Sequence, residues 1–452
     1  MKKFFLTLFI IVLISAVGFY LLVYPRLVIV SGYTAKNMCS CVFVAGIDEQ
    51  KVKDEDLNFD ILPYADIKVD YQNKTVSSTV FGMSKKTAVY REHTGCALVN
   101  KLPVGSVVRY SKTWPIHPYD SLMHWYDFVD TVDYLSARQS KEMDKSISMA
   151  FEEDDPSEPK KNTRAVVVVY KGQLVGEQYA PGFDKDSKLL GWSMTKSLTA
   201  AFFGKMESDG LIDHTRKTGI EEWQNDDRRV ITWDHLLHMN SGLRWKERYD
   251  QVSDAVTMLF NSDGIGEYAM GMPLQYAPNA HWEYSSGTTN IIATELEKYF
   301  KSRDEYLLYP YQRIFWPIGM YSLIIETDSK GYFVGSSYSW ATARDWAKCG
   351  QLFLQNGQWA GQQILPKKWV DYVQKPAPNS AYRYGAHFWL NKDGNLPDVP
   401  RDTYSFQGFQ GQGVYILPSE NLVVVRLGLT YHEPDFDFNA WLSAIIKTIH
   451  NN

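Results

Sequence analysis

The sequence lacks an excess of positive charge, a metal-binding pattern and any repeat. With 47 basic against 52 acidic side chains, the formal net charge is −5, which argues against nucleic acid as a partner. The four cysteines have no Cys or His partners at zinc-finger spacing, so we predict no metal site. No internal repeat or low-complexity tract occurs. The 45% hydrophobic and 22% charged residues are typical of a globular protein with a substantial core.

The N-terminus is the one segment whose composition is not globular. Lys2 and Lys3 precede an uncharged, mostly apolar run from Phe4 to Val23, and Arg26 follows. Twenty helical residues span the hydrocarbon core of a bilayer, and the flanking lysines favour a cytoplasmic N-terminus. We predict an uncleaved anchor in the bacterial inner (cytoplasmic) membrane, with the remainder on the periplasmic or extracellular side. A cleaved signal peptide is the alternative.

Export is compatible with a disulfide. Either Cys39 or Cys41 can pair with Cys96 across a loop of more than fifty residues, a closure that stabilises by roughly 3 to 4 kcal/mol in the chain-entropy model. The fourth cysteine is Cys349. The alternative is that all four are buried thiols.

Three segments are predicted: residues 1–30 as anchor or signal, 31–150 as an N-terminal α/β layer, and 151–452 as the main domain. In residues 65–82, apolar and polar side chains alternate as in the two strands of a hairpin. Residues 131–151 have a helical pattern, and we predict that the charged, proline-containing stretch 152–162 is a connector. Two further hairpins, at 164–180 and 411–429, bracket a mostly helical region. We therefore predict an α/β (α+β) fold, in which one antiparallel sheet is built from both ends of the domain, flanked by helices, with an inserted helical lobe.

The stretch "GWSMTKSLTA" places Ser193 three residues before Lys196 at the start of a predicted helix that ends near Gly210. Residues i and i+3 share a helix face. Ser193 would lie in the first turn, where free N–H groups favour developing negative charge. A neutral Lys196 could take its proton, provided that burial lowers the lysine pKa. A serine that merely caps the helix is the alternative.

Several segments in order resemble the class C β-lactamase-like branch of the penicillin-recognising serine hydrolases. They are the Ser193-x-x-Lys196 helix start, "ITWDHLLHMNSGL" at 231–243, "WEYSSGTTN" with Tyr284, "SYSWATARDWAKCGQLFLQNG" at 337–357, and the closing hairpin. The resemblance is greatest to the 6-aminohexanoate-dimer hydrolase and family VIII esterase branch. It implies a β-lactamase/transpeptidase-like fold and a Ser193 acyl-enzyme, with Lys196 and Tyr284 as acid and base and with no cofactor.

Two positions depart from the family pattern. The third position of the tyrosine motif is commonly Asn, and here it is Ser286. Lys217-Thr218-Gly219 matches the third motif of the lactamases and carboxypeptidases, but it comes too early in the chain, so we interpret it as unrelated. The element in the right order is "GFQGQ", with Gln410 in place of His. A penicillin or D-Ala carboxylate would lack its fixed cation there.

The resemblance implies that the N–H groups of Ser193 and Phe409 hold the oxyanion, with Ser286, Gln410 and Gly411 beside the substrate. The predicted function is cleavage of a small ester, amide or peptide-like substrate. The alternatives are a D,D-peptidase or β-lactamase acting on cell-wall peptides or β-lactams, and a non-catalytic ligand sensor. The oligomeric state is left open.

Four other residues stand out in the sequence, and we assign no catalytic role to them. We expect His235 and His238 to pack or cap a helix rather than bind a metal. Asp345 is expected to be a structural helix residue. Trp192 is either a pocket wall or part of the core.

Overall fold

The computed structural model describes residues 2–111, 114–115, 135–153, 161–431 and 436–450. Most of the predicted connector at 152–162 and residues 131–134 of the predicted helix lie outside these ranges. Within them, the helices are α1 (Lys2–Gly18), α2 (Tyr24–Phe43), α3 (Glu49–Lys51), α4 (Ala137–Ser148), α5 (Thr195–Ser208), α6 (Trp233–Leu237), α7 (Asp254–Asn261), α8 (Ile265–Met270), α9 (Ser286–Glu295), α10 (Arg303–Pro310), α11 (Ala343–Leu354), α12 (Lys367–Val373) and α13 (Phe438–His450).

The strands form four antiparallel sheets in the described part of the chain. Their bounds are β1 (Ala65–Asp70), β2 (Thr75–Val80), β3 (Met83–Arg91), β4 (Gly95–Val99), β5 (Thr163–Tyr170), β6 (Gln173–Tyr179), β7 (Leu189–Leu190), β8 (Ile324–Ile325), β9 (Ser339–Ala341), β10 (Gln358–Trp359), β11 (Gln362–Gln363), β12 (Trp389–Leu390), β13 (Tyr404–Gly408), β14 (Gln412–Leu417) and β15 (Leu422–Gly428).

The largest sheet confirms the predicted fold. Its order is β12-β13-β14-β15-β5-β6, so β5 and β6 from the start of the predicted domain pair with strands from its end. Alternate valines of β5 face opposite sides. Val167 and Val169 join the core shared with α5 and α11, while Val166 and Val168 pack with α4 and α13. Helices thus cover both faces of the sheet, and most of the residues between β6 and β12 are helical or irregular.

The N-terminal apolar run is part of one long helix. Residues Lys3–Phe43 are helical throughout, with a π-helical segment at Phe19–Val23 between α1 and α2. The apolar part is exposed and is long and apolar enough either to cross a membrane or to be a signal sequence. From Leu27 onward the helix becomes buried, because it packs on β2, β3 and β4 and on α7.

The sheet β1-β2-β3-β4 includes the predicted hairpin, with β1 and β2 paired from Ala65–Val80 to Asp70–Thr75. A disulfide joins Cys39 of α2 to Cys96 of β4, while Cys41 and Cys349 are free and buried. This resolves the two pairings that the sequence left open. The disulfide links the N-terminal helix directly to the sheet on which it packs.

Candidate active site

Ser193 lies where the chain turns into α5. Residues Trp192–Met194 form one 3₁₀ turn before the helix starts at Thr195. Trp192 has a φ of 46°, in the left-handed region that non-glycine residues rarely adopt. The adjoining Gly191 has no room for a side chain, since a Cβ there would lie 2.4 Å from the Trp346 ring. The serine therefore sits on a tightly packed turn at the first turn of a buried helix.

Lys196 lies one turn from Ser193 and is 1% exposed. Its Nζ is 2.9 Å from Ser193 Oγ, 3.0 Å from Ser286 Oγ and 3.0 Å from the Ser336 carbonyl oxygen. Burial lowers the pKa of Lys196 to about 8, against an opposing effect of the Glu247 carboxylate. Near neutral pH an appreciable fraction of the lysine is therefore neutral. In the neutral form, two N–H groups can donate to Ser286 and Ser336 while the nitrogen lone pair is left to face the Ser193 hydroxyl.

Tyr284 lies beside this pair, in the irregular segment that precedes α9. The Lys196 Nζ is 4.8 Å from the centroid of the Tyr284 ring, and the ring stacks on Trp389 at 5.4 Å. Burial, and then the Glu247 carboxylate, raise the pKa of Tyr284 well above its usual value, while a hydrogen bond with Ser193 opposes the shift. The phenol is therefore protonated at neutral pH, which suits a proton donor.

Ser286 occupies the first position of α9 and is fully buried. Its hydroxyl donates to Glu247 Oε1 at 2.5 Å and accepts from Lys196. Its backbone N–H donates to Glu247 Oε2 at 2.9 Å. The structure thus places the predicted substrate-binding serine as a bridge between the lysine and a carboxylate.

Glu247 is the site residue that the sequence interpretation missed. It accepts hydrogen bonds from Ser286, from the Tyr249 hydroxyl at 2.6 Å and from the Trp245 indole N–H. A signal was available: Trp245, Glu247 and Tyr249 alternate directly after the "SGL" of the 231–243 segment, and alternate residues of an extended chain share a face. Nothing local, however, indicated that this face meets α9.

The predicted oxyanion element lies beside the serine turn. A Cβ on Gly408 would be 2.2 Å from the Gly191 carbonyl oxygen, so the end of β13 approaches the turn as only glycine allows. Phe409 follows, and its ring packs edge-on against Trp192 at 5.7 Å. Gln410, with a φ of 64°, is buried, and its Oε1 accepts from the Trp192 indole N–H at 3.2 Å. Its side chain supports Trp192.

The remaining predicted residues have structural roles in the described chain. His235 Nδ1 accepts from the Thr232 N–H and so caps α6, as expected. His238 contacts Asp234 and the Lys375 carbonyl. Asp345 accepts from Ser322 and Lys348 at the start of α11.

The Lys217-Thr218-Gly219 tripeptide makes its backbone pairing outside the candidate active site. Lys217 pairs with Thr232 in an isolated bridge just before α6. The hydrogen bonds described for Ser193, Lys196 and Ser286 do not include it.

Comparison with known proteins identifies the family. Residues 152–446 match the family model described as Beta-lactamase. The chain belongs to the Beta-lactamase family. The resemblance predicted from the ordered motifs is confirmed, and the protein is a serine hydrolase of this family.

Relatives of known structure or function agree with the Beta-lactamase fold. A 6-aminohexanoate-dimer hydrolase of Paenarthrobacter ureafaciens is 22% identical over 307 residues, which are 60% of this chain and 74% of that protein. The crystal structure of a family VIII carboxylesterase superposes with a TM-score of 0.54 at 14% identity, covering 70% of this chain and 98% of that one. A penicillin-binding protein homologue from Caulobacter crescentus gives 0.53 at 11% identity, with the same coverage.

Proposed function

We propose that the protein is a membrane-anchored serine hydrolase that cleaves a small ester or amide through a Ser193 acyl-enzyme. The observation that carries this proposal is the buried Lys196 amine, 2.9 Å from the Ser193 hydroxyl, with a pKa lowered to about 8. An ordinary helix-capping serine has no need of a desolvated lysine. Residues 4–23 serve as the anchor, and the catalytic part lies on the periplasmic or extracellular side.

The proposed reaction is acyl transfer in two steps. Neutral Lys196 takes the Ser193 proton, and Oγ attacks the substrate carbonyl. The N–H groups of Ser193 and Phe409 hold the oxyanion. The protonated Tyr284 phenol donates to the leaving group, and the nearby Lys196 cation stabilises the phenolate that remains. In the second step the phenolate takes a proton from water, and the water oxygen attacks the acyl carbon. The Lys196 cation returns its proton to the departing Ser193 Oγ, 2.9 Å away, which restores both residues.

Glu247 acts on this reaction through its neighbours. Its negative charge opposes the fall in the pKa of Lys196 and adds to the rise in that of Tyr284. Through Ser286 it also fixes one hydrogen-bond partner of the lysine. We place it as a positioning residue, because its described hydrogen bonds are to Ser286, Tyr249 and Trp245.

The D,D-peptidase alternative is less well supported. The element in the order of the family's third motif, "GFQGQ" at 408–412, contains no lysine, and the described Lys217 pairs with Thr232. Removal of a fixed cation weakens recognition of a substrate carboxylate. Neutral esters and amides fit this site better.

The test is turnover of p-nitrophenyl acetate and butyrate by the full chain in phospholipid nanodiscs. A chain truncated at Ser31 is unsuitable because α2 begins at Tyr24 and is buried from Leu27. We expect turnover and a fluorophosphonate adduct in the intact mass, both lost in Ser193→Ala. If folded wild type with its disulfide intact neither turns over nor labels, the protein is a ligand-binding module instead.

A further inference from the structure

A cavity of about 220 Å³ lies between the N-terminal helix and the catalytic part of the chain. One wall is α2, which contributes Ile29, Val30 and Tyr33, and the facing wall includes Val256 and Phe260 of α7. These walls are mainly apolar. A cavity of this kind takes an apolar group of several carbons, because ligand sites bind largely through buried apolar surface.

The cavity adjoins the groups that carry the proposed chemistry. Trp192, directly before Ser193, lines it together with Phe409 and Tyr249. Phe409 and Tyr249 stack at 5.6 Å. Tyr284, the proposed donor to the leaving group, is not among the described lining residues. Ser193 is not among them either, so the cavity reaches the site on the side of Trp192 and Phe409. Because Phe409 is the proposed oxyanion donor, we assign this side to the acyl part of a substrate.

The same cavity lies next to the apolar N-terminal segment. Arg26, which also lines it, is the first charged residue after the run that ends at Val23. Three residues of helix span about 4.5 Å, and an arginine just beyond an apolar segment sits at the headgroup level of a bilayer. Half-exposed Ile61 and Val252 add apolar surface to the lining. An apolar chain leaving a bilayer beside residues 4–23 would emerge close to this cavity, which Arg26 and Ile29 line.

We propose that the cavity binds the hydrocarbon chain of a long-chain carboxylic ester, so that Ser193 is acylated by a fatty acyl group. This inference rests on the proposed function, including the membrane segment. The Ser193 Oγ–acyl bond forms as the ester C–O bond breaks, and the alcohol leaves with the proton from Tyr284. Water then releases the fatty acid. The ester comes either from the bilayer itself or from a free amphiphile.

The experiment compares kcat/KM for p-nitrophenyl decanoate and p-nitrophenyl acetate, using the full chain in phosphatidylcholine nanodiscs. Each buried methylene favours binding by roughly threefold to fourfold, so we expect decanoate to exceed acetate by at least about tenfold. Intact mass should show a decanoyl-enzyme that is absent from Ser193→Ala. Release of fatty acid from the nanodisc lipid identifies the bilayer as source, and decanoate preference without such release identifies a free amphiphile.

Two variants fill the cavity from different walls. Ile29→Trp acts from α2, and Val252→Trp acts from a half-exposed position that tolerates a larger side chain, should the first variant fold poorly. Each should lower the decanoate-to-acetate ratio by about tenfold or more. The matched control is Val230→Trp: this valine is 41% exposed, against 39% for Val252, and does not line the cavity. It should leave the ratio unchanged.

The outcomes separate this inference from the proposed function. If acetate turnover depends on Ser193 but decanoate gives no advantage, or if neither tryptophan changes the ratio, the acyl-chain site is wrong and the hydrolase stands. If folded protein turns over neither ester, the proposed function is wrong, and the acyl-chain site, which depends on it, is wrong as well.

Discussion

Lys36 of α2 donates to the Glu326 carboxylate at 2.5 Å, and both side chains are almost completely buried. Glu326 also accepts from the Cys96 N–H and the Trp340 indole. Trp340 belongs to β9, which pairs with β7 just before the Ser193 turn. One carboxylate thus connects the N-terminal helix, the disulfide-bearing strand and the sheet next to the nucleophile.

Replacing Lys36 by Met should destabilise the protein strongly. The variant leaves a buried carboxylate without its cation, which typically costs about 3 to 5 kcal/mol. Denaturant unfolding of Lys36→Met should show this loss. The control is Lys68→Met, since Lys68 is exposed and 4.0 Å from Asp66, and exposed pairs contribute little. Equal stability of both variants would contradict the assigned role of Glu326.

Reduction of the Cys39–Cys96 disulfide should also lower stability. The bond closes a loop with a sequence separation of 57, for which the chain-entropy model gives about 4 kcal/mol. Cys39→Ser should show a similar loss in chemical denaturation and should no longer respond to reductant. Cys349→Ser serves as comparison, because this buried thiol is free, and it should remain sensitive to reductant.

Lys196→Arg should slow acylation severely while keeping a cation at the site. A guanidinium stays protonated at any accessible pH and cannot take the Ser193 proton. We expect kcat/KM for p-nitrophenyl acetate to fall by about 10³-fold, within the range of lost acid–base catalysis. Fluorophosphonate labelling should slow in parallel. Labelling at the wild-type rate would show that another group activates the serine.

The pH profile should report Lys196 directly. Because burial lowers its pKa to about 8, kcat/KM should rise with pH below that value and level off above it. The Glu247 carboxylate raises the pKa of Lys196, so Glu247→Gln should move the rising limb to lower pH. A purely structural role for Glu247 would lower the rate and leave the limb in place, and stopped-flow acylation across pH 6 to 10 distinguishes the two.

Gly408→Ala should impair catalysis more than folding. The added methyl would lie 2.2 Å from the Gly191 carbonyl oxygen, so β13 and the serine turn must separate. Such a shift moves the Phe409 N–H away from the position of the oxyanion. Loss of one oxyanion donor lowers kcat by about 10² to 10³-fold, and we expect a value in that range with KM little changed. A change confined to KM would remove Phe409 from the proposed oxyanion site.

Much of the fold could be predicted because its signals are local. The valine run of β5 and the two-residue turn at Lys171-Gly172 indicate a hairpin by themselves, and the spacing of Ser193 and Lys196 indicates a shared helix face. The resemblance to the β-lactamase-like hydrolases added Tyr284 and Phe409 as candidates, whose catalytic roles remain predictions.

What could not be predicted depends on contacts distant in sequence. Glu247 meets Ser286 across 39 residues and Lys36 meets Glu326 across 290, and neither pair leaves a periodic pattern. The burial of α2 was missed for a related reason: the apolar run ends at Val23, but the helix continues with a more polar sequence whose partners are the sheet β1–β4 and α7. Only the folded chain decides which of Cys39 and Cys41 faces Cys96.

The unbroken helix from Lys3 to Phe43 leaves no flexible tether between the apolar N-terminus and the enzyme. At 1.5 Å per residue its 41 residues extend about 60 Å. The C-terminal end of this helix is attached to the rest of the protein by the Cys39–Cys96 disulfide and the buried Lys36–Glu326 ion pair. Any structure that binds the first twenty residues therefore also orients the catalytic part of the chain. With residues 4–23 as the proposed anchor, this helix would set the distance and the orientation of the catalytic part relative to the membrane.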